Sequence, residues 1–356
     1  MITQSRNTIA VPPGETIKEQ LEDRNMTQRE LASRTGYSEK HISQLINGQA
    51  TLSVDAALKL ECVFGVPSSF WSGLEADYRA DLARVEQEND MEAEETLARK
   101  SPYAQCVKLG WLPPAANAKE KVRCLREFFC VSSLQFVLLP EKNLLPKIAY
   151  RCMDAQECHE MARAIWAQQA KKKAESVHVE RLDLYKLEQM IPAFRAMTNE
   201  PPNEFHPKLK EMCASCGVAL VLIPHLEGSG IQGASFATNF GVALALTARG
   251  KWADRFWFDF FHELCHILEM HFSQAEVDTD EQNEAADAFA RNTLIPQHEY
   301  DKLSYLPLTA ESIRAFAQSV GIAPGIVVGR LQKEGLLEYD HMNSLKIKYE
   351  LKKRAA

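Results

Sequence analysis

Two histidines and a glutamate stand close together inside an apolar run that reads FFHELCHILEMH over residues 260 to 271. On a helix, His262 and His266 lie one turn apart on the same face, so both imidazole rings can reach one tetrahedral metal ion. Glu263 projects about 100° around the helix, where it can hold a metal-bound water without ligating the ion. The spacing predicts a zinc (Zn2+) site with Glu263 as the general base of a peptidase.

The apolar surroundings of these side chains strengthen that prediction. Ionisable groups are costly to bury among aromatic and aliphatic residues unless a partner compensates them, and a metal ion would do so. The alternative is that the histidines are hydrogen-bonded core groups at a chance spacing. His271, a single histidine at the C-terminal end of the helix, is expected to offset the helix dipole rather than to bind metal.

A catalytic zinc needs a third protein ligand that leaves one coordination position open for water. The segment DEQNEAADAFARNTLIP is predicted to form a second helix, from about Thr279 to Leu294, that ends near Pro296. Its carboxylates at Glu281, Glu284 and Asp287 are the candidates for the third ligand.

The segments before the first helix are rich in β-forming residues. GVALVLIP, IQGASFA and GVALALTA follow the proline-rich boundary EPPNEF at 200 to 205, and we expect them to form a three-stranded antiparallel sheet. Residues 101 to 199 show helical periodicity without a catalytic motif. Cys213 and Cys216 form a CxxC pair without a second pair to complete a zinc site, so reduced, buried thiols are expected.

TQRELASRTGYSEKHISQLINGQ, residues 27 to 49, meets the physical requirements of a helix-turn-helix. Thr27 and Ser38 can cap the two helices, and Gly36 permits the left-handed turn between them. Leu31, Ala32, Ile42 and Leu45 supply the buried side. Polar residues of the second helix are left to contact base edges and phosphates, and they are Ser38, Glu39, Lys40, His41, Ser43 and Gln44.

The N-terminal segment from PPGE at 12 to 15 to FGVPSSFW at 64 to 71 resembles the HigA-type antitoxins, within the lambda-repressor-like (XRE) helix-turn-helix family. The TQRELASRTGYS core and the NG turn carry the rest of the likeness. The resemblance implies that the second helix of the pair lies in the major groove of operator DNA and that Gln28 contacts the backbone. Residues 1 to 80 hold eight Lys and Arg against ten Asp and Glu, so a homodimer on paired half-sites is expected to strengthen binding.

FWFDFFHELCHILEMH followed by ADAFARNTLIP resembles the ImmA/IrrE metallo-endopeptidases, whose pattern is HExxH-x4-H and then ExxANxFAxxLLIP. The likeness to long members of that family covers most of the chain and is weakest between about 132 and 200. It implies a zincin-like fold with His262 and His266 as zinc ligands. The family's ligating glutamate falls here at Asn283, so we take Glu284, one residue on, as the third ligand, with Glu281 and Asp287 as alternatives.

These features predict a mainly α, α+β chain with four parts. They are a helix-turn-helix domain (1–88), a helical connecting region (89–200), a zincin-like domain with a small antiparallel sheet and the HExxH helix (201–345), and a solvated basic tail (346–356). The segment SIRAFAQSVGIAPGIVVGRLQKEG is expected to complete the core of the third part rather than to form a second DNA reader.

The composition excludes some classes of protein. The net charge of −7 gives no overall basic field for nucleic acid or an anionic membrane, so any DNA contact must be local. Without an evident signal peptide or membrane-spanning run, and with nine scattered cysteines, the chain is expected to be cytoplasmic, with no membrane partner.

Two functions remain open from the sequence. The first is an operator-binding regulator fused to a zinc endopeptidase that cleaves a repressor or partner protein and so relieves repression. The alternative is a non-catalytic antitoxin or repressor whose metal domain is structural or sensory. A pure toxin-neutralising antitoxin would bind a small protein partner.

Overall fold

The structure is a computed structural model that describes residues 2–5, 7–139, 159–248, 252–273, 279–303 and 305–349. The chain divides into two compact units, Met1–Thr96 and Leu97–Ala356. Each unit encloses its own hydrophobic core.

The first unit is a small helical bundle with a short hairpin at its start. Its core is formed by fully buried apolar side chains that include Ile17, Leu31, Ile42 and Trp71. Its elements are β1 (Thr3–Gln4), β2 (Ile9–Ala10), α1 (Pro13–Asp23), α2 (Gln28–Thr35), α3 (Glu39–Ile46), α4 (Val54–Phe64) and α5 (Ser68–Lys100), whose last residues belong to the second unit.

Close packing of α1 against α3 explains the glycine in the PPGE segment. A Cβ atom at Gly14 would overlap the backbone carbonyl of Ile46, so only glycine lets α1 approach the C-terminal end of α3 this closely. The acidic stretch EQENDMEAEE lies within α5. There Glu88 accepts hydrogen bonds from the hydroxyls of Ser5 and Thr8, at 2.6 and 3.2 Å, and ties the hairpin to the helix.

The second unit begins with helices, as the periodicity of residues 101 to 199 predicts. Pro192 starts a new helix after Met190, which divides the segment LYKLEQMIPAFRAM into two short helices. These elements are α6 (Tyr103–Lys108), α7 (Ala118–Phe129), α8 (Glu160–Glu175), α9 (Leu184–Gln189), α10 (Ile191–Ala196) and α11 (Pro202–Ser215).

The predicted antiparallel sheet is wrong in one pairing. The strands are β3 (Val218–Pro224), β4 (Gly233–Ala237) and β5 (Val242–Ala248), in the order β3-β5-β4. The pair β4 and β5 is antiparallel, but β3 and β5 are parallel. Because β5 rather than β4 lies beside β3, the two reversals of chain direction leave the first and last strands parallel. The near-continuous apolar runs of β3 and β5 are typical of strands covered on both faces.

The central strand β5 shows why both faces are covered. Its large side chains, Val242, Leu244 and Leu246, face the core helix α12 (Ala253–Leu268). Strand alternation places the small Ala243 and Ala245 on the other face, where the alanine-rich α8 packs. The alternation of large and small residues therefore matches a helix on each side of the sheet.

The remaining helices complete the core beneath α12. They are α13 (Asp280–Leu294), α14 (Gln297–Leu303), α15 (Ala310–Val320) and α16 (Pro324–Lys333). Helices α15 and α16 bury Ile313, Phe316, Val327 and Val328 in this core, so the segment that begins SIRAFAQ packs into it as expected. No single described helix is long and apolar enough to cross a membrane, although α15 and α16 pass that test when taken together as a bent pair.

The prediction of a solvated basic tail is wrong at its start. Lys346 is almost fully buried, and its Nζ lies 2.8 Å from the Asp254 carboxylate. Tyr349 accepts a hydrogen bond from Trp257 Nε1 at 2.9 Å. The buried carboxylate near the start of α12 needs a cation, and the tail supplies it. Residues 350 to 356 of the predicted tail lie outside the described residues.

Candidate functional site

The candidate metal centre lies on the inner face of α12. His262, Glu263 and His266 are each at most 2% exposed. The helix holds them in place because Trp257, Phe260, Phe261 and Leu264 are fully buried in the surrounding core. The sequence therefore buries three ionisable groups at the centre of an aromatic cluster, as its pattern predicts.

The two histidines, here called the histidine pair, face each other across one helical turn. Nε2 of His262 lies 3.1 Å from Nε2 of His266. Two nitrogens that bind one tetrahedral zinc at about 2.0 to 2.1 Å lie about 3.3 Å from each other. The separation of the histidine pair is thus close to what a shared ion requires, and the two rings fit two positions of a zinc site.

Each ring of the histidine pair has a further partner at Nδ1. His262 Nδ1 is 2.7 Å from Asp287 Oδ1 on α13, and His266 Nδ1 is 2.9 Å from Nδ1 of His271. A hydrogen bond from Nδ1 to a carboxylate fixes the tautomer that leaves Nε2 able to bind a metal. His271, expected to offset the helix dipole, joins this cluster from a 3-10 turn beyond the end of α12.

The second helix brings Asp287, and not Glu284, to the histidine pair. Ala286, Ala290 and Leu294 are the buried stripe of α13, which packs closely against α12 through small side chains. Asp287 lies beside this stripe, whereas Glu281 and Glu284 are exposed.

A group of three possible metal ligands lies elsewhere among the described residues. The ligand atoms of Glu338, Asp340 and His341 lie within 4.8 Å of one another, and all three residues are exposed. At the histidine pair, His262 and His266 are the two candidate ligands, and Asp287 orients the ring of His262.

Glu263 packs against a backbone position that sequence reasoning missed. A Cβ atom built at Gly233 on β4 would lie 2.7 Å from Glu263 Oε1 and 2.8 Å from its Cγ. Such contacts are closer than real Cβ atoms make, so the carboxylate occupies the space that a side chain at Gly233 would fill. An isolated glycine inside a predicted strand was the available signal, since it marks close approach of another group.

The cysteine between the two histidines is not suited to join them. Burial, and then the nearby Glu269 carboxylate, raise the pKa of the Cys265 thiol to about 11. A metal ligand or nucleophile needs the thiolate, which this environment disfavours at neutral pH. Cys213 is fully buried, and its pKa is also raised by burial, which agrees with the expected reduced, inert CxxC pair.

The second candidate site is the helix pair α2 and α3 of the first unit. The Thr27 hydroxyl accepts a hydrogen bond from Glu30 N, and the Ser38 hydroxyl accepts one from His41 N. Gly36 adopts φ 73° between the helices, in the left-handed region that glycine favours. These caps and the turn are the ones that the sequence predicts.

The predicted DNA-contacting residues lie on the accessible side of this pair. Gln28, Ser38, Glu39 and Lys40 are exposed, and His41, Ser43 and Gln44 are partly exposed. Ile42, Leu45 and Ile46 form the buried side of α3. Glu39 lies 3.5 Å from Arg29, so its negative charge is partly compensated at the start of the helix. The helix therefore presents a polar face of mixed charge.

A polar cluster beside α3 was not expected from the sequence. Tyr37 donates a hydrogen bond from its hydroxyl to Asp55 at 2.7 Å, and its ring lies 4.5 Å from the His41 ring. Lys59 Nζ lies 4.2 Å above the Tyr37 ring. Burial, and then the hydrogen bond to Asp55, raise the pKa of Tyr37. The cluster fixes His41 and places a cation near the N-terminal end of α3.

Comparison with known proteins places the first unit. A family model described as helix-turn-helix (HTH_3) matches residues 17–71. The chain is 31% identical over 80 residues to the uncharacterized HTH-type transcriptional regulator YddM of Escherichia coli (strain K12), a match that covers 20% of this chain and 85% of that protein. The solved structure of a HigA-family addiction module antidote protein from Coxiella burnetii is 27% identical, covers 24% of this chain and 94% of that one, and has a TM-score of 0.22.

A capped pair of short helices around a left-handed glycine, with a polar outer face on the second helix, defines a DNA-binding module of the helix-turn-helix class. Through this module the chain belongs to the family of helix-turn-helix transcriptional regulators. Each of these matches covers a quarter of the chain or less, so the second unit is interpreted from its own geometry.

Proposed function

We propose that this DNA-binding regulator carries a zinc endopeptidase in its second unit, which cleaves a repressor or another partner protein and relieves repression. The observation that supports the peptidase best is the buried HExxH cluster. His262 and His266 meet at Nε2 at 3.1 Å, Asp287 orients one ring, and Glu263 is buried beside them. Metal-binding histidines in proteins are commonly oriented by a carboxylate in this way.

Each residue of the HExxH cluster would have a separate role in peptide hydrolysis. His262 and His266 would hold the ion through Nε2, and Asp287 would set the tautomer of His262 from α13. When bound, zinc would supply the Lewis acidity that activates a water molecule and a peptide carbonyl. Glu263 accepts a proton from the attacking water at its carboxylate and delivers it to the leaving amine. The missing Cβ at Gly233 lets that carboxylate reach its place.

A second function is favoured by one specific observation. Asn283 stands where the ImmA/IrrE pattern has its ligating glutamate. A site that has lost this ligand would bind zinc weakly, because a catalytic site uses three protein ligands. The rival proposal is therefore a non-catalytic repressor or antitoxin in which this unit has a structural or sensory role.

Zinc content tests the metal site directly. We would purify the full chain without added metal and measure zinc per chain, beside His262→Ala and the matched control His298→Ala, an exposed histidine on α14. The proposal expects about one equivalent in the wild type and the control and a loss in His262→Ala. If the wild type binds no zinc even after the metal is added, the peptidase proposal is wrong.

Glu263→Gln separates the enzyme from the structural metal site. The amide keeps the shape of the side chain but cannot accept the proton, so zinc should stay bound while cleavage of a co-expressed partner protein disappears. A structural site has no need of a general base. Cleavage and derepression that are unchanged in Glu263→Gln would leave the non-catalytic regulator as the better proposal.

Operator binding is tested through the outward face of α3. We propose that Gln44 and Lys40 contact operator DNA, with Gln28 at the backbone, and that two copies bind paired half-sites. Lys40→Ala should weaken binding to all DNA sequences, and the slope of log affinity against log salt concentration should become shallower by about one. Gln44→Ala should instead relax the preference for one base position. Co-purification of a small partner with the full chain, without cleavage, would instead indicate the toxin-neutralising antitoxin.

A further inference from the structure

Helix α4 carries an exposed apolar stripe that neither the DNA-binding face nor the metal centre uses. Val54 is 70% exposed and Leu58 is 52% exposed, and Cys62 is also exposed. These three residues, here called the α4 stripe, follow one another at intervals of four and so lie along one side of the helix. An exposed apolar stripe of this kind is a candidate for a surface that another molecule covers.

The charges beside the α4 stripe limit what can cover it. Asp55 and Lys59 flank the stripe on one side and form an ion pair at 3.0 Å. Asp55 also accepts the hydrogen bond from Tyr37, so its carboxylate is held in place. Both partners of this pair keep exposed area, and the side chain of Asp55 is 66% exposed. The stripe is therefore bordered by one fixed negative and one positive charge.

We infer that the α4 stripe is the surface on which two copies of this chain meet, with the two α4 helices antiparallel about a two-fold axis at Leu58. In that arrangement Leu58 meets Leu58 of the second copy, and Val54 meets Cys62 of the second copy. Such an interface is isologous, since each residue pair occurs twice.

The flanking charges complement each other under the same symmetry. With a rise of about 1.5 Å per residue, Asp55 lies about 4.5 Å to one side of the axis and Lys59 about 1.5 Å to the other. The two-fold axis brings Lys59 of the second copy to within about 3 Å of Asp55 along the helix direction. Opposite charges therefore alternate along this border, and like charges do not face each other. A stripe that is complementary to itself favours a second copy over an unrelated partner.

A short stripe of three residues implies weak association in free solution. Stable interfaces bury far more area, about 1,600 Å² in total, so DNA with paired half-sites would have to supply the rest. The inference therefore rests on the proposed binding of two copies to an operator. Self-association without DNA tests the surface, whereas binding to a single half-site tests the DNA reader, so the two failures are distinguishable.

The first experiment is sedimentation of the full chain over a wide concentration range. Leu58→Asp places two carboxylates against each other at the axis and should weaken dimerisation about tenfold or more. The matched control is Ile9→Asp on β2, a residue of similar exposure outside the stripe, which should leave dimerisation unchanged. A wild type that stays monomeric at all concentrations, or a dimer that persists in Leu58→Asp, would overturn the inference.

Disulfide trapping tests the geometry with milder substitutions. Under gentle oxidation, Leu58→Cys should link to itself across the axis, and Val54→Cys should link to the native Cys62 of the second copy, as mapped by peptide mass spectrometry. Gly73→Cys on α5, an exposed position with open space around it, is the control that should remain unlinked. Links that form only elsewhere would show that the copies meet on another surface.

Discussion

At His262, one hydrogen bond decides which ring nitrogen can bind a metal. Asp287 occupies Nδ1 at 2.7 Å, which leaves Nε2 directed toward His266. Carboxylates in this position hold the ring and raise the basicity of the ligating nitrogen. The carboxylate chosen from the sequence, Glu284, is exposed and stands outside this arrangement.

Replacement of single carboxylates on α13 separates these roles. Asp287→Ala should lower zinc affinity by about 10- to 100-fold, because His262 loses its orienting partner. Glu284→Ala should leave the affinity unchanged, since its side chain is exposed. Competition with a metal chelator would measure both. A loss confined to Glu284→Ala would restore Glu284 as the third ligand.

Thiol reactivity is a second prediction at the residue scale. Cys62 and Cys130 are exposed, whereas Cys106, Cys213 and Cys265 are buried. Burial raises the pKa of Cys106 to about 12, so its reactive thiolate is scarce. With iodoacetamide at pH 8, we expect alkylation of the exposed pair in the native chain and of the buried thiols only after denaturation. Peptide mass spectrometry distinguishes them, and rapid native labelling of Cys265 would contradict its place inside α12.

At the scale of elements, the start of β4 determines how closely Glu263 of α12 can pack against the strand. The glycine at its start lets the helix bring Glu263 against the strand, and an alanine there would meet Oε1 at 2.7 Å. Gly233→Ala should therefore move the carboxylate and lower cleavage about 100-fold while the zinc content stays the same. Gly73→Ala is the control, because nothing lies within 4 Å of its Cβ. Equal activity of both variants would show that Glu263 adjusts without cost.

The helix boundaries could be predicted from residues that are close together in the sequence. The pairing of strands and helices that are distant in the sequence could not. Thr279 was expected at the start of the second helix, and it caps α13 in a capping box with Gln282. Such caps can be predicted because all partners lie within four residues. The parallel pairing of Val218 with Val242 could not, because it joins residues far apart in the sequence. The contact between Gly233 and Glu263 could not be predicted for the same reason, since these residues lie on separate elements.

At the scale of the molecule, the negative net charge limits how the chain can bind DNA. The chain carries a net charge of −7, so its affinity for DNA must come from the few cations near α3, such as Lys40. Long-range attraction to phosphates is weak for such a protein. Two copies on one operator would double these local contacts, which connects the proposed dimer surface on α4 with the DNA reader.

The two compact units should unfold as two separable transitions, because each has its own core. Ile42→Ala removes a buried side chain from the first core, and Leu220→Ala removes one from the second. Each should destabilise its own unit by about 2 to 5 kcal/mol and leave the other transition in place. Zinc should raise the midpoint temperature of only one transition, the one that Leu220→Ala lowers, since a ligand stabilises the unit that binds it. Calorimetry of the full chain would show this, and one transition that shifts in both variants would mean that the units fold as one.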